Sequence, residues 1–357
     1  MNEINILSLN FEKAWRGGEK QTLYDALGLI EKGFNVHLIC KKGSALEKRA
    51  LEKKVNIISK KTTLGVLFHL IFNGSKYDVL HAQGSSILTY CILSKPFHQA
   101  KIIFTRRINL RPRGRLTRMK YRLCDRIVAV SRSVKNIVSE FSSRNDIQII
   151  SDAVIFTTPN NIAVQPKLNK LNPDQKKIIG TIAALTYEKN PLDNIEIVRL
   201  LKEKRDDFIF LHFGEGNMRD IMQQQIEKYN LQHNYFLMDF VDNVNDYLAL
   251  LNAFVMTSSN EGLCSSVLDA FIYKVPVVST NAGGLSDLLE DGRGISCEVG
   301  KPIMIAEGVD YILNHSSLVD VQVEKAYKYV LNQHSMEYIS DQYVRLINEL
   351  FSKKNNN

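Results

Sequence analysis

At 357 residues, 45% of them hydrophobic and 24% charged, the chain is longer than one ordinary core and too apolar to be disordered. Two globular domains are therefore expected. The formal charge of +8 is unevenly placed, with nine basic residues and no acid between Lys101 and Arg122, so that segment calls for an anionic partner.

The first elements alternate. INILSLN reads as a strand, and after FEKAWRGGEK the residues Leu23, Ala26, Leu27 and Ile30 repeat at helical spacing up to Gly33. VHLIC, from Val36 to Cys40, is strand-like again. A strand, helix, strand unit implies parallel pairing. Gly17 and Gly18 lie where the first strand gives way to its helix. Glycine there serves either the close approach of backbone to a phosphate or sugar, or a tight turn.

Further short apolar runs fall at Asn56 to Ile58, Val79 to His81, Ile102 to Phe104 and Ile127 to Val130. Ser131 then caps a helix through Val134, Ile137, Val138 and Phe141, and IQII closes this half. From Ser151 to Lys176 the composition turns to Asn, Pro, Gln and Lys without periodicity, as a linker would. KKIIGTIAAL restarts the pattern, with strands expected at Phe208 to Phe213, Tyr235 to Met238, Ala253 to Met256 and Val275 to Ser279. The fold expected is α/β, two doubly wound Rossmann-like domains facing a cleft, at 1–165 and 166–336, with a last helix at 337–351 crossing back to the first.

No run is long enough to span a bilayer, since Leu64 to Phe72 is broken by His69 and falls short of ~20 residues. The N-terminus has no basic stretch before an apolar one, so no signal peptide is expected. Cys40, Cys91, Cys124, Cys264 and Cys297 are scattered and lack metal-ligand spacing, which reads as reduced cytoplasmic thiols. Order is expected except in the tail SKKNNN.

The stretch TSSNEGLCSSVLDAFIYKVPVVSTNAGG sets Glu261 and Asp269 on either side of a helix start. Amides of Ser265 and Ser266 at that start would form an anion site, and the two carboxylates could each take hydroxyl groups beside it. A nucleotide sugar suits that layout. The competing reading is a capping box, Ser266 to Asp269, which binds nothing else.

Together with the LTYEKN of Leu185 to Asn190 and the TRR of Thr105 to Arg107, this stretch resembles glycosyltransferase family 4, the retaining, metal-independent sugar transferases of GT-B fold. The resemblance covers nearly the whole chain. It implies that Lys189 contacts the donor diphosphate, Glu261 the hydroxyls of the transferred sugar, Ser265 and Ser266 the distal phosphate, and Asp269 the ribose, with Leu263 and Cys264 lining the sugar through backbone. His81 and Arg107 are further catalytic candidates. Members commonly carry an arginine where this chain has Ala184, a glutamate where it has Asp269, and a histidine where it has Arg107.

The resemblance further implies front-face attack with the leaving phosphate as base, so no metal and no cofactor is expected. The acceptor side falls in the first domain, where Arg106, Arg111, Arg113 and Arg115 belong to the basic run. That run would bind an anionic saccharide or lipid-linked acceptor, dock on an anionic membrane, or form a solvated face. Nucleic acid is excluded as a partner because no aromatics are interleaved to stack bases. The expected activity is retaining sugar transfer from a nucleoside diphosphate, in lipopolysaccharide or surface polysaccharide assembly, in the cytoplasm or at the inner face of the plasma membrane. A nucleotide-sugar 2-epimerase and a non-catalytic nucleotide-sugar-binding partner remain open.

Overall fold

A computed structural model describes residues 4–352; the tail from residue 353 lies outside them. The chain divides into two compact units, one running up to Ala153 and resuming at Gln333, the other spanning Val154–Asn332.

In the first unit, β1 (Asn5–Leu9), β2 (Asn35–Lys41), β3 (Asn56–Lys60), β4 (Val79–Ala82), β5 (Lys101–Arg106), β6 (Arg126–Ala129) and β7 (Gln148–Ile149) pair in parallel in the order β3-β2-β1-β4-β5-β6-β7 among the described residues. Ile6 lies between Val36 and Val79. The order reverses between β1 and β4, and it is at such a switch that the carboxyl ends of strands leave room for a ligand. Because helices cover both faces, the central strands read as continuous apolar runs, and all of Val79–Ala82 is buried. The helices are α1 (Gly17–Glu31), α2 (Ala45–Glu52), α3 (Thr63–Asn73), α4 (Ser85–Ser94), α5 (Arg115–Leu123) and α6 (Arg132–Ser142). Ser131 caps α6 by accepting from the amide of Val134, and IQII contributes only its central pair to β7.

The second unit carries β8 (Lys177–Ile182), β9 (Phe208–Phe213), β10 (Tyr235–Asp239), β11 (Ala253–Met256), β12 (Val277–Thr280) and β13 (Ile295–Cys297), all parallel, in the order β10-β9-β8-β11-β12-β13 among the described residues. Its helices are α7 (Asn161–Leu171), α8 (Pro191–Lys202), α9 (Arg219–Lys228), α10 (Val244–Leu248), α11 (Ser265–Ile272), α12 (Gly284–Leu289), α13 (Pro302–Asn314) and α14 (Ser316–Gln333). The units part after Ala153, not at the expected 165, because α7 is part of the second core. Its Val164 and Leu168 pack on Ile209, Leu211 and Phe213. Asn160 caps that helix through its side chain, and Pro166 sits inside it, which is why the segment resembles a linker.

The last helix, α15 (Met336–Ser352), lies on the first unit. Ile339, Tyr343, Leu346, Ile347 and Leu350 join Ile6, Ala26 and Leu29 in one buried cluster. Gly28 permits the approach: a Cβ there would stand 1.9 Å from Ser340 Oγ. Among the described residues no helix is long and apolar enough to cross a membrane.

Candidate functional site

In the second unit the carboxyl ends of β8, β11 and β12 each supply one loop. After β8 the chain makes a 3₁₀ turn, Tyr187–Lys189, and Asn190 takes left-handed φ before Pro191 opens α8. Thr257, just past β11, donates through Oγ1 to the carbonyls of Lys189 and Asn190 at 3.0 and 3.1 Å, and the Ser259 amide donates to Glu188 O at 2.9 Å. The two loops are thus tied together by the Thr257 hydroxyl and one backbone bond before the side chains at their tips are considered.

Those tips meet: Lys189 Nζ donates to Glu261 Oε1, which also accepts from Ser258 Oγ at 2.8 Å. Glu261 is 8% exposed. Burial pulls the Lys189 ammonium down, but the Glu261 carboxylate more than offsets it, so the lysine titrates above its ordinary value. The β12 loop fixes Glu261 from the other side, the Gly284 amide donating to Glu261 O at 3.0 Å. A Cβ on Gly284 would sit 2.1 Å from Gly262 O, and Gly283 has φ +55 with ψ −122. The AGG sequence is therefore a steric requirement of Glu261's loop.

From Glu261 the chain passes through Leu263 and Cys264, both buried, into α11. Cys264 occupies the position before the helix with φ +84, an uncommon backbone state for a residue with a side chain. It sets Ser265 and Ser266 as the first two helical residues, whose amides have no carbonyl one turn back. The Ser266–Asp269 capping box is not formed, because Ser266 lies inside the helix and not at its cap. Asp269 is 8% exposed. Burial pushes the Cys264 thiol up to about 12, so it is no nucleophile at neutral pH. Gly214 and Gly216, in the loop after β9, press on the carbonyls of Ala183 and Leu185, where a Cβ would come within 2.1 and 2.2 Å. The FGEG sequence at Phe213 is the overlooked signal for this support.

The first unit gathers its candidates at the carboxyl edge of its own sheet. Gly17 and Gly18 open α1 as helical residues, so no turn demands them, and a Cβ on Gly18 would meet nothing within 4 Å. Arg107, just after β5, is held by three partners: Nε donates to Asp152 at 3.0 Å, Nη1 to Gln83 Oε1 at 2.5 Å and Nη2 to Asp25 at 2.9 Å. Burial pushes Asp25 up to about 6 even though the guanidinium pulls the other way. Asp25, Gln83 and Asp152 were missed in the sequence; an acid on the buried side of α1 was the one available sign.

Both ring nitrogens of His81 are engaged, Nε2 with Thr105 Oγ1 at 2.7 Å and Nδ1 with Gln83 Nε2 at 3.3 Å. Burial, aided by Arg107, lowers its pKa to about 3. The His81 ring is therefore neutral and fixed by Thr105 and Gln83, and the Arg107 guanidinium is bracketed by Asp25, Gln83 and Asp152.

Arg106 also departs from expectation. Instead of meeting acceptor or membrane it is 6% exposed, with Nη1 donating to Tyr121 Oη at 2.6 Å and Nη2 to Leu110 O. It closes a strand buried along nearly its whole length. Arg111, Arg113 and Arg115 are exposed, Arg111 in a surface pair with Glu140.

Comparison with known proteins agrees with both halves. The family model described as Glycosyltransferase Family 4 matches residues 15–155, and that of Glycosyl transferases group 1 matches residues 165–329. A lipopolysaccharide core biosynthesis glycosyltransferase, LpsE of Rhizobium meliloti, is 25% identical over 65% of this chain and 66% of its own. A poly(ribitol-phosphate) alpha-N-acetylglucosaminyltransferase of Staphylococcus aureus is 26% identical over 62% of this chain and 47% of its own. The chain thus spans less than two thirds of either relative. Among solved structures, Anabaena HepE in complex with UDP superposes with a TM-score of 0.85 at 15% identity, over 97% of this chain and all of that one. This likeness carries the fold, two parallel-sheet Rossmann-like domains. With one family model on each half of the chain and the Glu261 and AGG loops interlocked in the second, the chain belongs to the family 4, group 1 glycosyltransferases.

Proposed function

We propose that the chain transfers a glycosyl group from a nucleoside diphosphate sugar to a saccharide or lipid-linked acceptor, in the cytoplasm, during assembly of a surface polysaccharide or lipopolysaccharide. The observation that carries this is the pair of half-buried Lys189 with buried Glu261 beside the first turn of α11. An ammonium held charged there meets the negative charge that grows on a departing diphosphate, and the Ser265 and Ser266 amides supply donors that need no reorganisation. Glu261 takes hydroxyls of the transferred sugar and Asp269 those of the ribose, while Leu263 and Cys264 line the sugar. Gly18, with open space above its Cα, leaves room for ligand at the first sheet. The names of the Rhizobium and Staphylococcus relatives support the setting.

Transfer proceeds with retention: the bond from the anomeric carbon to the diphosphate breaks, that to the acceptor oxygen forms on the same face, and the acceptor's proton leaves with the phosphate. No protein base is then needed, and neutral His81 and the protonated Cys264 thiol fit that scheme. Lys189 and the helix amides meet the charge without a metal ion.

Incubation with UDP-, GDP- and ADP-sugars in EDTA, read by thermal shift and by NMR of the product's anomeric configuration, tests this. One donor is expected to raise the melting temperature and to give a retained linkage. Loss of activity in EDTA with recovery in Mg²⁺, or release of an epimer in place of transfer, would overturn the respective step.

A further inference from the structure

The helices on one face of the first sheet expose apolar side chains where solvent-facing polar ones are the rule. α3 buries Val66 and Leu70, yet on its other side Phe68 and Phe72 are 52% and 74% exposed, with ring centroids 6.5 Å apart. α5 turns Tyr121 inward against Phe104 and Phe141. It leaves Leu116, Met119 and Leu123, one stripe at helical spacing, 75%, 50% and 40% exposed. Phe97, in the 3₁₀ turn Lys95–Phe97 that follows α4, is 56% exposed, and Lys95 Nζ donates to Leu123 O at 2.7 Å. Right-handed crossovers place α3, α4 and α5 on the same face, and α3 packs on α4 as α4 packs on α5. The six apolar side chains therefore lie along a single surface of three adjoining helices, and clustered exposed apolar residues of this kind mark an interaction site.

Charge identifies what covers it. From Lys61 to Leu123 there are twelve basic residues and one acid, Asp78, an excess larger than that of the whole chain. Arg113 and Arg115, exposed at the start of α5, have no ion-pair partner among the described residues. A second copy of the chain would bring the same positive face and be repelled. A soluble phosphorylated saccharide could use the arginines but not six apolar side chains. A bilayer with anionic headgroups uses both, taking the apolar side chains to the acyl boundary while guanidinium groups hold lipid phosphates.

We infer that this face, with Phe68, Phe72, Phe97, Leu116, Met119 and Leu123 as its apolar contacts, docks the protein on an anionic membrane surface. The inference does not depend on the nucleotide-sugar reading of the second unit, because its test measures vesicle binding alone.

The full chain is floated with vesicles of phosphatidylcholine, alone or mixed with phosphatidylglycerol. It is expected to rise with the mixed vesicles and to stay behind with phosphatidylcholine alone. Replacing Arg113→Gln together with Arg115→Gln should weaken binding about 25-fold, roughly fivefold for each charge. Leu116→Ser with Met119→Ser should weaken it about tenfold or more. All four positions are exposed, so unchanged thermal unfolding verifies the fold of the variants. No flotation with either vesicle, or an apolar variant that floats as well as the parent, would overturn the inference. So would stabilisation by inorganic phosphate that the arginine variant loses while neither protein floats, because the run would then be an acceptor-phosphate site.

Discussion

Glu261 and Lys189 are tied to each other, and this mutual dependence makes their roles separable by pH. Glu261→Ala is expected to cut transfer about 100-fold or more while nucleoside diphosphate still binds at neutral pH. In the parent, the lysine's folded pKa lies above its unfolded value. Its ion-pair contribution to stability is thus complete below an unfolded pKa of about 10.4 and is lost only as pH rises through the higher folded value. In the variant, burial acts without its counterweight and pulls Lys189 down. Diphosphate affinity should therefore decline at a lower pH than in the parent, as titration calorimetry across the alkaline range would reveal. A variant whose affinity follows the parent's pH profile would place the diphosphate elsewhere. Arg107 is a different case, since its three donors end on Asp25, Gln83 and Asp152. Arg107→Met removes the guanidinium from two buried carboxylates and should cost about 3–5 kcal/mol in urea unfolding. Adding Asp25→Asn should recover part of that loss, whereas a single catalytic role for Arg107 would leave stability near the parent's.

Among the elements, what could be read in advance follows from burial. Strands covered on both faces are mostly apolar, so Val79–Ala82, Phe208–Phe213 and Val277–Thr280 were evident as runs despite the buried polar His81, His212, Ser279 and Thr280 within them. α7 was not evident, because Pro166 and its polar neighbours mask the two residues, Val164 and Leu168, that join the core. The outward stripes of α3 and α5 were equally opaque, since an apolar residue bound for solvent has the same spacing as one bound for the core. The carboxylate loop and the glycines after β12 could be seen as neighbours in sequence; that they interlock could not. Gly284→Ala tests the interlock: its Cβ would meet backbone at Gly262 and has no flexible side chain to displace. It should destabilise the second unit by about 1–3 kcal/mol and weaken nucleoside diphosphate binding in parallel. Unaltered binding in the variant would show that Glu261's loop is positioned by something else.

On the scale of the molecule, the sequence carried the two-sheet plan and the family resemblance, whereas the partners of Arg107 were hidden because Asp25, Gln83 and Asp152 come from three distant segments. The closing of the first core by α15 bears on how the chain is made. A ribosome adds about 5–20 residues per second, so the Val154–Asn332 unit occupies roughly 10–40 s of synthesis. Throughout that interval Ala26 and Leu29 of α1 lack the helix that covers them in the finished protein. The first unit to emerge is thus the last to be completed, and the nascent protein carries an uncovered apolar stripe that chaperones would recognise until Ile339 to Leu350 arrive to close it.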